Sequence, residues 1–292
     1  MMFNLSDVKI LHLEPTTTCN AKCPQCLRTT TEFTESDMSI EKARQLFSVD
    51  FIKQLDKMFM CGNYGDPAAG QDTLKIFKYF KEHNPNISLG INTNGSIRNP
   101  DWWAELASIM TKVEDYAVFS IDGLEDTNHI YRVDVQWDKI IKNAKAFTDA
   151  GGNAHWEMIV FEHNQHQVDQ AIEIAKELNF KLFRTKVSRR FQRFPVEYLK
   201  PPTGHNTVMS TEGKIDCFAM NEKSIYVDAH GKFMPCCLQT EEKFNNDVTE
   251  WFNSLITSWD SNPDRQCKRS CTKSNNGLTT FKNQWTKEII FK

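Results

Sequence analysis

Cys19, Cys23 and Cys26 stand in the run Cys19-Asn20-Ala21-Lys22-Cys23-Pro24-Gln25-Cys26, a CxxxCxxC spacing on one short segment. Three thiolates this close in the chain can hold three irons of a 4Fe-4S cluster and leave the fourth iron open. An open coordination position is the mark of a reactive metal site, because a structural site closes its shell. A zinc module fits less well, since it pairs its first CxxC with a second pair of ligands. A disulfide framework also fits less well: three crowded cysteines cannot all pair, and no apolar signal stretch precedes them in this sequence. Ile10, Leu11 and Leu13 followed by Glu14-Pro15-Thr16-Thr17-Thr18 describe a strand that runs into the cysteine loop.

A second set comprises Cys217, Cys236, Cys237, Cys267 and Cys271. Gly231 stands between Cys217 and Cys236, where a tight turn in a hairpin would bring two ligands together. Cys267 and Cys271 would add two thiolates from one loop. Four such ligands make a closed site that zinc and an iron–sulfur cluster both accept. Cys237 is the spare, expected as a small buried neighbour of a ligand.

The elements that must position these residues alternate regularly. Strand patterns fall at residues 9–13, 57–61, 87–91, 116–121, 154–161 and 181–187, with helical spacing at 39–47, 72–83, 101–111, 137–150 and 168–178. Ser39 is a candidate N-cap, but Lys42 stands where a capping box needs Glu or Gln. Six strand–helix units in series predict a parallel sheet with helices outside, open or partly closed into a barrel. Beyond Phe194 the pattern changes: Pro195, Pro201, Pro202 and Gly204 mark a linker, and short β-like pieces follow at 224–227 and 232–234.

The chain has 292 residues, 40% hydrophobic, with a net charge of only -3, so no global field recruits nucleic acid or a membrane. No apolar run reaches the length of a membrane span. Nine cysteines without a secretion signal indicate a reducing, cytoplasmic setting and metal work. Within 184–194, Arg184, Lys186, Arg189, Arg190 and Arg193 interleave with Phe191 and Phe194. That pattern can bind nucleic acid or a phosphorylated substrate, but a solvated connection between domains is the plainer expectation. Glu162-His163-Asn164-Gln165-His166 is expected as a helix-capping loop rather than a metal pair, because no third ligand is nearby. Cys61, on the second strand, is expected in the core.

The CxxxCxxC run is the signature of the radical S-adenosylmethionine (radical SAM) enzymes, and the chain resembles that superfamily over nearly its whole length. The resemblance implies a partial (β/α)6 TIM-like barrel in residues 1–200, followed by a small cysteine-rich domain of the twitch/SPASM type in 201–292. Cys19, Cys23 and Cys26 would hold the SAM-binding 4Fe-4S cluster. Cys217, Cys236, Cys267 and Cys271 would hold a single auxiliary 4Fe-4S cluster, because the additional CxxC pair of full SPASM modules is absent.

Cys61-Gly62-Asn63-Tyr64-Gly65-Asp66-Pro67 resembles the GGEP-like segment that holds the amino group of SAM. It departs by the inserted Asn63-Tyr64 and by Asp66 in place of glutamate, so Gly62, Asn63, Gly65 and Asp66 are assigned through their backbone first. Asn92 and Asn94 would meet the ribose, and Ser120 and Asp122 belong to an SxDG run near SAM. Arg132 would clamp the SAM carboxylate. Gln25 departs from the aromatic residue often found before the last cluster cysteine.

The activity implied is reductive cleavage of SAM to a 5′-deoxyadenosyl radical that abstracts a substrate hydrogen, followed by a two-electron oxidation that the auxiliary cluster assists. The electron source would be a flavodoxin or ferredoxin. The substrate is a small molecule or a peptide; strand one starts within about ten residues, which leaves no leader-peptide-binding domain before it in this sequence. Two alternatives remain: a maturase acting on peptides or proteins, and a non-catalytic zinc- or iron–sulfur-binding protein.

Overall fold

The strands of the computed structural model form one sheet in the order β8-β7-β1-β2-β3-β4-β5-β6-β9. The structure describes residues 2–205, 213–239, 247–272 and 284–291. Along the chain the strands are β1 (Ile10–Leu13), β2 (Lys57–Met60), β3 (Ser88–Thr93), β4 (Tyr116–Ser120), β5 (Ala154–Val160), β6 (Leu182–Val187), β7 (Ser224–Val227), β8 (Phe233–Met234) and β9 (Glu288–Ile290). The helices are α1 (Leu27–Thr30), α2 (Ile40–Leu46), α3 (Val49–Gln54), α4 (Thr73–His83), α5 (Pro100–Ile109), α6 (Asn128–Tyr131), α7 (Trp137–Asp149), α8 (Val168–Glu177), α9 (Phe218–Asn221), α10 (Val248–Ser258) and α11 (Arg265–Cys271).

β1 to β6 are parallel neighbours in sequence order, the mixed α/β fold expected. Local chemistry explains the helix starts. Ser39 accepts the N–H of Lys42 at 3.1 Å, without the return bond of a full capping box. Asn99 caps α5 through Trp102 N–H at 3.1 Å, with Pro100 in the first turn, where its missing donor costs nothing. Asp72, placed to cap α4, instead accepts the N–H of Ile40 at 2.9 Å and so ties the starts of two helices together.

The two faces of the sheet differ in chemistry. Leu11, Met58, Met60, Leu89, Ile91, Phe119, Trp156 and Met158 are buried on the helix side, where Phe119 meets Trp103 of α5 at 5.0 Å. The concave side carries polar rings and charges. His12 stacks on Phe59 at 4.4 Å, Lys57 Nζ lies 4.6 Å from the Tyr116 ring, and Tyr116 stacks on His155 at 5.3 Å. The alternating burial along β5 puts Glu157 on the same side as His155.

The C-terminal pieces flank this sheet. β7 pairs in parallel with β1, Ile10 opposite Ser224 and Leu13 opposite Val227, and β8 returns antiparallel to β7. Gly231 sits in the turn between them at φ +82°, a left-handed conformation that favours glycine. β9 pairs antiparallel with β6 at the other edge. The main-chain hydrogen bonding of the sheet therefore crosses from the first 200 residues into the remainder. α10 also reaches back, with Asn253 bonded to the N–H and C=O of Phe3 at 2.7 and 3.0 Å.

Candidate active site

A cavity of about 280 Å³ opens at the C-terminal ends of the six parallel strands, the end at which barrels of this architecture carry their chemistry. Cys19, Cys23 and Cys26 line it from the loop after β1. Gly62 to Asp66 line it after β2, Asn92 and Asn94 at the end of β3, Ser120 at the end of β4 with Arg132 beyond it, and Lys186 to Arg190 from the end of β6 onwards. Cys61 faces this cavity as well; sequence reasoning put it in the core, but its strand parity matches the inward Lys57 and Phe59.

The cysteine loop is fixed by polar contacts rather than by apolar burial alone. Asn94 Nδ2 donates to Asn20 Oδ1 at 2.8 Å and approaches Cys19 Sγ at 3.7 Å. Asn20 donates to Ser96 Oγ at 2.8 Å, and Ala21 N–H points at Cys19 Sγ at 3.3 Å. Gln25, fully buried, accepts from Ser188 Oγ at 2.7 Å and donates to Phe194 C=O at 3.2 Å. The residue that departs from the aromatic pattern thus ties the loop to the segment after β6. Burial, and then the Asp66 carboxylate, push the Cys19 thiol up to about 12. Metal binding there must displace a proton.

Arg132 is not a solvated flanking residue. Its Nε donates to Asp122 Oδ2 at 2.6 Å, and its Nη1 lies 3.8 Å from Cys23 Sγ. Asp122 also accepts the N–H of Ile159 at 2.5 Å, so one buried carboxylate orients the guanidinium towards the cysteine loop. Asp66 uses its side chain to brace the segment that the resemblance assigned through its backbone. Its oxygens accept from Ala68 N–H, Thr93 Oγ1 and Asn94 N–H at 3.0, 3.0 and 2.7 Å, which stitches the β2 loop to the end of β3. Gly62 and Gly65 are compulsory: a Cβ would stand 2.2 Å from Gly65 O in the first case and 1.8 Å from Thr16 O in the second.

Sequence reasoning missed Glu14. Its buried carboxylate accepts the N–H groups of Tyr64 and Gly65 at 2.7 and 2.9 Å and bonds to the Tyr226 hydroxyl. The inserted Asn63-Tyr64 is therefore held from below by β1 and β7. Asn63 donates from its side chain to Cys237 C=O at 2.8 Å. The signal was available, since a glutamate directly after an apolar strand and before a proline has no solvent-facing reason to be there.

The second cysteine set is assembled from distant segments. Cys217 precedes α9, Cys236 follows β8, and Cys267 and Cys271 lie on α11. The last pair was expected on a loop; it is helical because Asp264 caps the segment and a CxxxC spacing puts both thiols on one helix face. Cys217 and Cys271 share a side-chain hydrogen bond that lowers the first thiol and raises the second. Gln239 Nε2 lies 3.5 Å from Cys267 Sγ. Among the described residues no three His, Cys, Asp or Glu side chains gather closely enough to hold one metal ion. The fit to an iron–sulfur group rests on the thiol-rich donor sets and on the N–H donors aimed at their sulfurs.

His163 stacks on Phe161, and Asn164 accepts Phe161 N–H at 2.7 Å; the segment leads into α8, but no side chain of it makes the cap bond expected there. In the basic stretch, Arg184 pairs with Glu157 and Glu288 at 3.1 and 2.9 Å, and Lys186 pairs with Glu157. No helix among the described residues is long and apolar enough to cross a membrane.

The radical SAM superfamily model matches residues 13–175. A tungsten-containing aldehyde ferredoxin oxidoreductase cofactor-modifying protein of Pyrococcus furiosus is 28% identical over 131 residues, 42% of this chain, and the match spans only 33% of that protein. Among solved structures, anSMEcpe with bound AdoMet superposes with a TM-score of 0.61 at 14% identity, over 92% of this chain and 79% of that one. SuiB of Streptococcus suis bound to S-adenosylmethionine gives 0.59 at 15% identity, over 86% and 67%. At these identities the likeness is one of fold, and a coverage of 92% carries it into the cysteine-rich C-terminal region. The family model begins at the last residue of β1 and ends inside α8, so it takes in the cysteine loop and the strand ends of β2 to β5 around the cavity, and this chain belongs to the radical SAM superfamily of enzymes.

Proposed function

We propose that this enzyme cleaves SAM reductively and abstracts a hydrogen atom from its substrate, with Cys19, Cys23 and Cys26 as ligands of the SAM-binding 4Fe-4S cluster. The observation that carries the reading is the placing of all three thiols on one cavity, with Arg132 and Asn94 directed at two of them. Cluster and SAM together supply a 5′-deoxyadenosyl radical. The chain's own residues bind and orient. Backbone groups of Gly62, Asn63 and Gly65, held by Glu14, offer a fixed edge to the SAM amino group, with Asp66 bracing that edge against β3. Asn92 and Ser120 line the wall for the ribose, and Arg132, aimed by Asp122, offers a cation to the carboxylate. Asn94 keeps the loop in register.

Cys217, Cys236, Cys267 and Cys271 would hold an auxiliary 4Fe-4S cluster that takes the second electron of a two-electron oxidation. Residues 1–200 then act as the radical core and 201–292 as the auxiliary region, in a cytoplasmic enzyme supplied with electrons by a flavodoxin or ferredoxin. A peptide-modifying role is the second reading. SuiB has been seen with its precursor peptide SuiA at a TM-score of 0.55, which favours keeping it.

The test is anaerobic reconstitution followed by iron and sulfide counting and a SAM-cleavage assay with dithionite. About eight irons are expected for the wild type and about four for the Cys19/Cys23/Cys26→Ala triple variant, with 5′-deoxyadenosine formed by the wild type alone. Zinc in place of iron, or no SAM cleavage by fully loaded protein, would overturn the reading.

A further inference from the structure

A second cavity, of about 90 Å³, lies beside the first and shares Asn63, Arg189 and Arg190 with it. Arg193 joins from the same segment, and Arg269 and Ser270 come from α11, remote in sequence. No carboxylate is among its described lining residues. The basic stretch thus splits in two. Its first half is neutralised, Arg184 by Glu157 and Glu288 and Lys186 by Glu157, whereas its second half is gathered around this pocket. Arg190 is aimed by a bond from Nη1 to Gln25 C=O at 2.7 Å, so the cluster loop itself orients one of the cations. Removal from water, then the neighbouring cation Arg190, pushes the Arg189 guanidinium down; removal from water, then Arg269 and Arg190, does the same to Arg193.

We propose that this pocket binds a compact oxyanion, phosphate or carboxylate, carried by the substrate, which makes the substrate a small acidic molecule. Like charges converge here at a cost that an anion removes, and guanidinium forks match such oxyanions in two-point contacts. A single-stranded nucleic acid would need free aromatic faces; Phe191 is packed against Phe161 at 5.8 Å, and the Phe194 ring is taken up by the Arg193 guanidinium at 5.0 Å. Because the two cavities share a wall, an anion held by the arginines would leave the rest of the molecule directed at the SAM cavity. Assignment of the anion to the substrate rests on the function proposed above; the anion site itself does not.

The experiment is calorimetric titration of cluster-loaded enzyme with inorganic phosphate and, separately, with succinate at equal ionic strength, using wild type, Arg193→Gln and Arg189→Gln/Arg193→Gln. Saturable binding is expected for one of the two probes, weakened at least about tenfold in the double variant, since each charged hydrogen bond is worth about 1.5–3 kcal/mol. The preferred probe distinguishes a phosphorylated from a carboxylated substrate. No saturable binding by either probe, equal affinity in wild type and double variant, or a parallel loss of SAM affinity that returns the arginines to SAM would each overturn the proposal. So would a single-stranded RNA that competes with phosphate and shows the same sensitivity to the variants. Iron content and SAM cleavage measured on the same wild-type sample report on the radical reading separately.

Discussion

The two cysteine centres are built in opposite ways. Cys19, Cys23 and Cys26 come from eight consecutive residues, and the fold's task is to brace a loop that already carries its own spacing. Asn94 and Ser96 after β3, Arg132 after β4 and Ser188 after β6 do that bracing, the two serines through the loop's own Asn20 and Gln25. Cys217, Cys236 and the Cys267–Cys271 pair arrive from three segments, and only Cys217 and Cys271 are joined by a side-chain hydrogen bond. Their local support is thinner: the Ile215–Thr272 bridge, Asp216 N–H on Cys271 C=O at 2.6 Å, and Gln239 on Asp264 at 2.9 Å. A centre built from one run would demand precision from its surroundings, whereas one assembled from distant segments would lend them cohesion.

The contrast can be broken first at Arg132. Arg132→Ala leaves Asp122 buried without its cation, and a loss of about 3–5 kcal/mol in denaturant unfolding is expected, with partial recovery in Arg132→Ala/Asp122→Asn. A loss below about 1 kcal/mol would mean that the bracing of the local centre is not energetically real.

The seam between the regions gives the next effect. His12 lies 4.8 Å from the Tyr226 ring, and burial lowers its pKa to about 4 from an ordinary 6.5. The unfolded chain therefore binds more protons between these values, so stability is full above pH 6.5 and falls as pH drops towards 4. The drop expected is about 3 kcal/mol, read from unfolding curves across that window and reduced in His12→Gln.

The smallest effect is expected at Gly231→Ala. The positive φ costs about 1–2 kcal/mol, and the new Cβ would meet Leu46 Cδ1 at 2.7 Å, a side chain able to move. Thermal unfolding should shift down slightly while iron in the N-terminal centre is retained. Loss of that iron would show that the two centres are not separable.

Much of this was legible in the sequence. The six strands of the core fall within about two residues of their expected bounds, because the apolar runs are short and the first five are each followed by a helical period. The CxxxCxxC run carried its chemistry in its spacing. What stayed hidden depends on long-range contact. Nothing in Ser224-Ile225-Tyr226-Val227 announces that it pairs with β1, since a buried strand looks the same wherever it inserts. Glu14 was missed because its partners, Tyr64, Gly65 and Tyr226, come from two other elements. Asp66 was assigned through its backbone, and spacing could not tell that its side-chain oxygens are taken up by Ala68, Thr93 and Asn94. The sequence pattern likewise could not divide the basic stretch into a paired half and a converging half.

The seat of β7 beside β1 has a consequence for biosynthesis. β1 can find β2 as soon as residues 57–60 emerge, but its other edge waits for residues 224–227. Throughout that interval the strand that leads into the first cysteine loop presents unpaired amides, the condition under which nascent sheets join to wrong partners. A ribosome that stalls before β7 would release a chain with its first cysteines in place and its sheet unfinished. Closing that edge late makes the emergence of β7, rather than appearance of the cysteine motif, the event that completes the seat of the first strand.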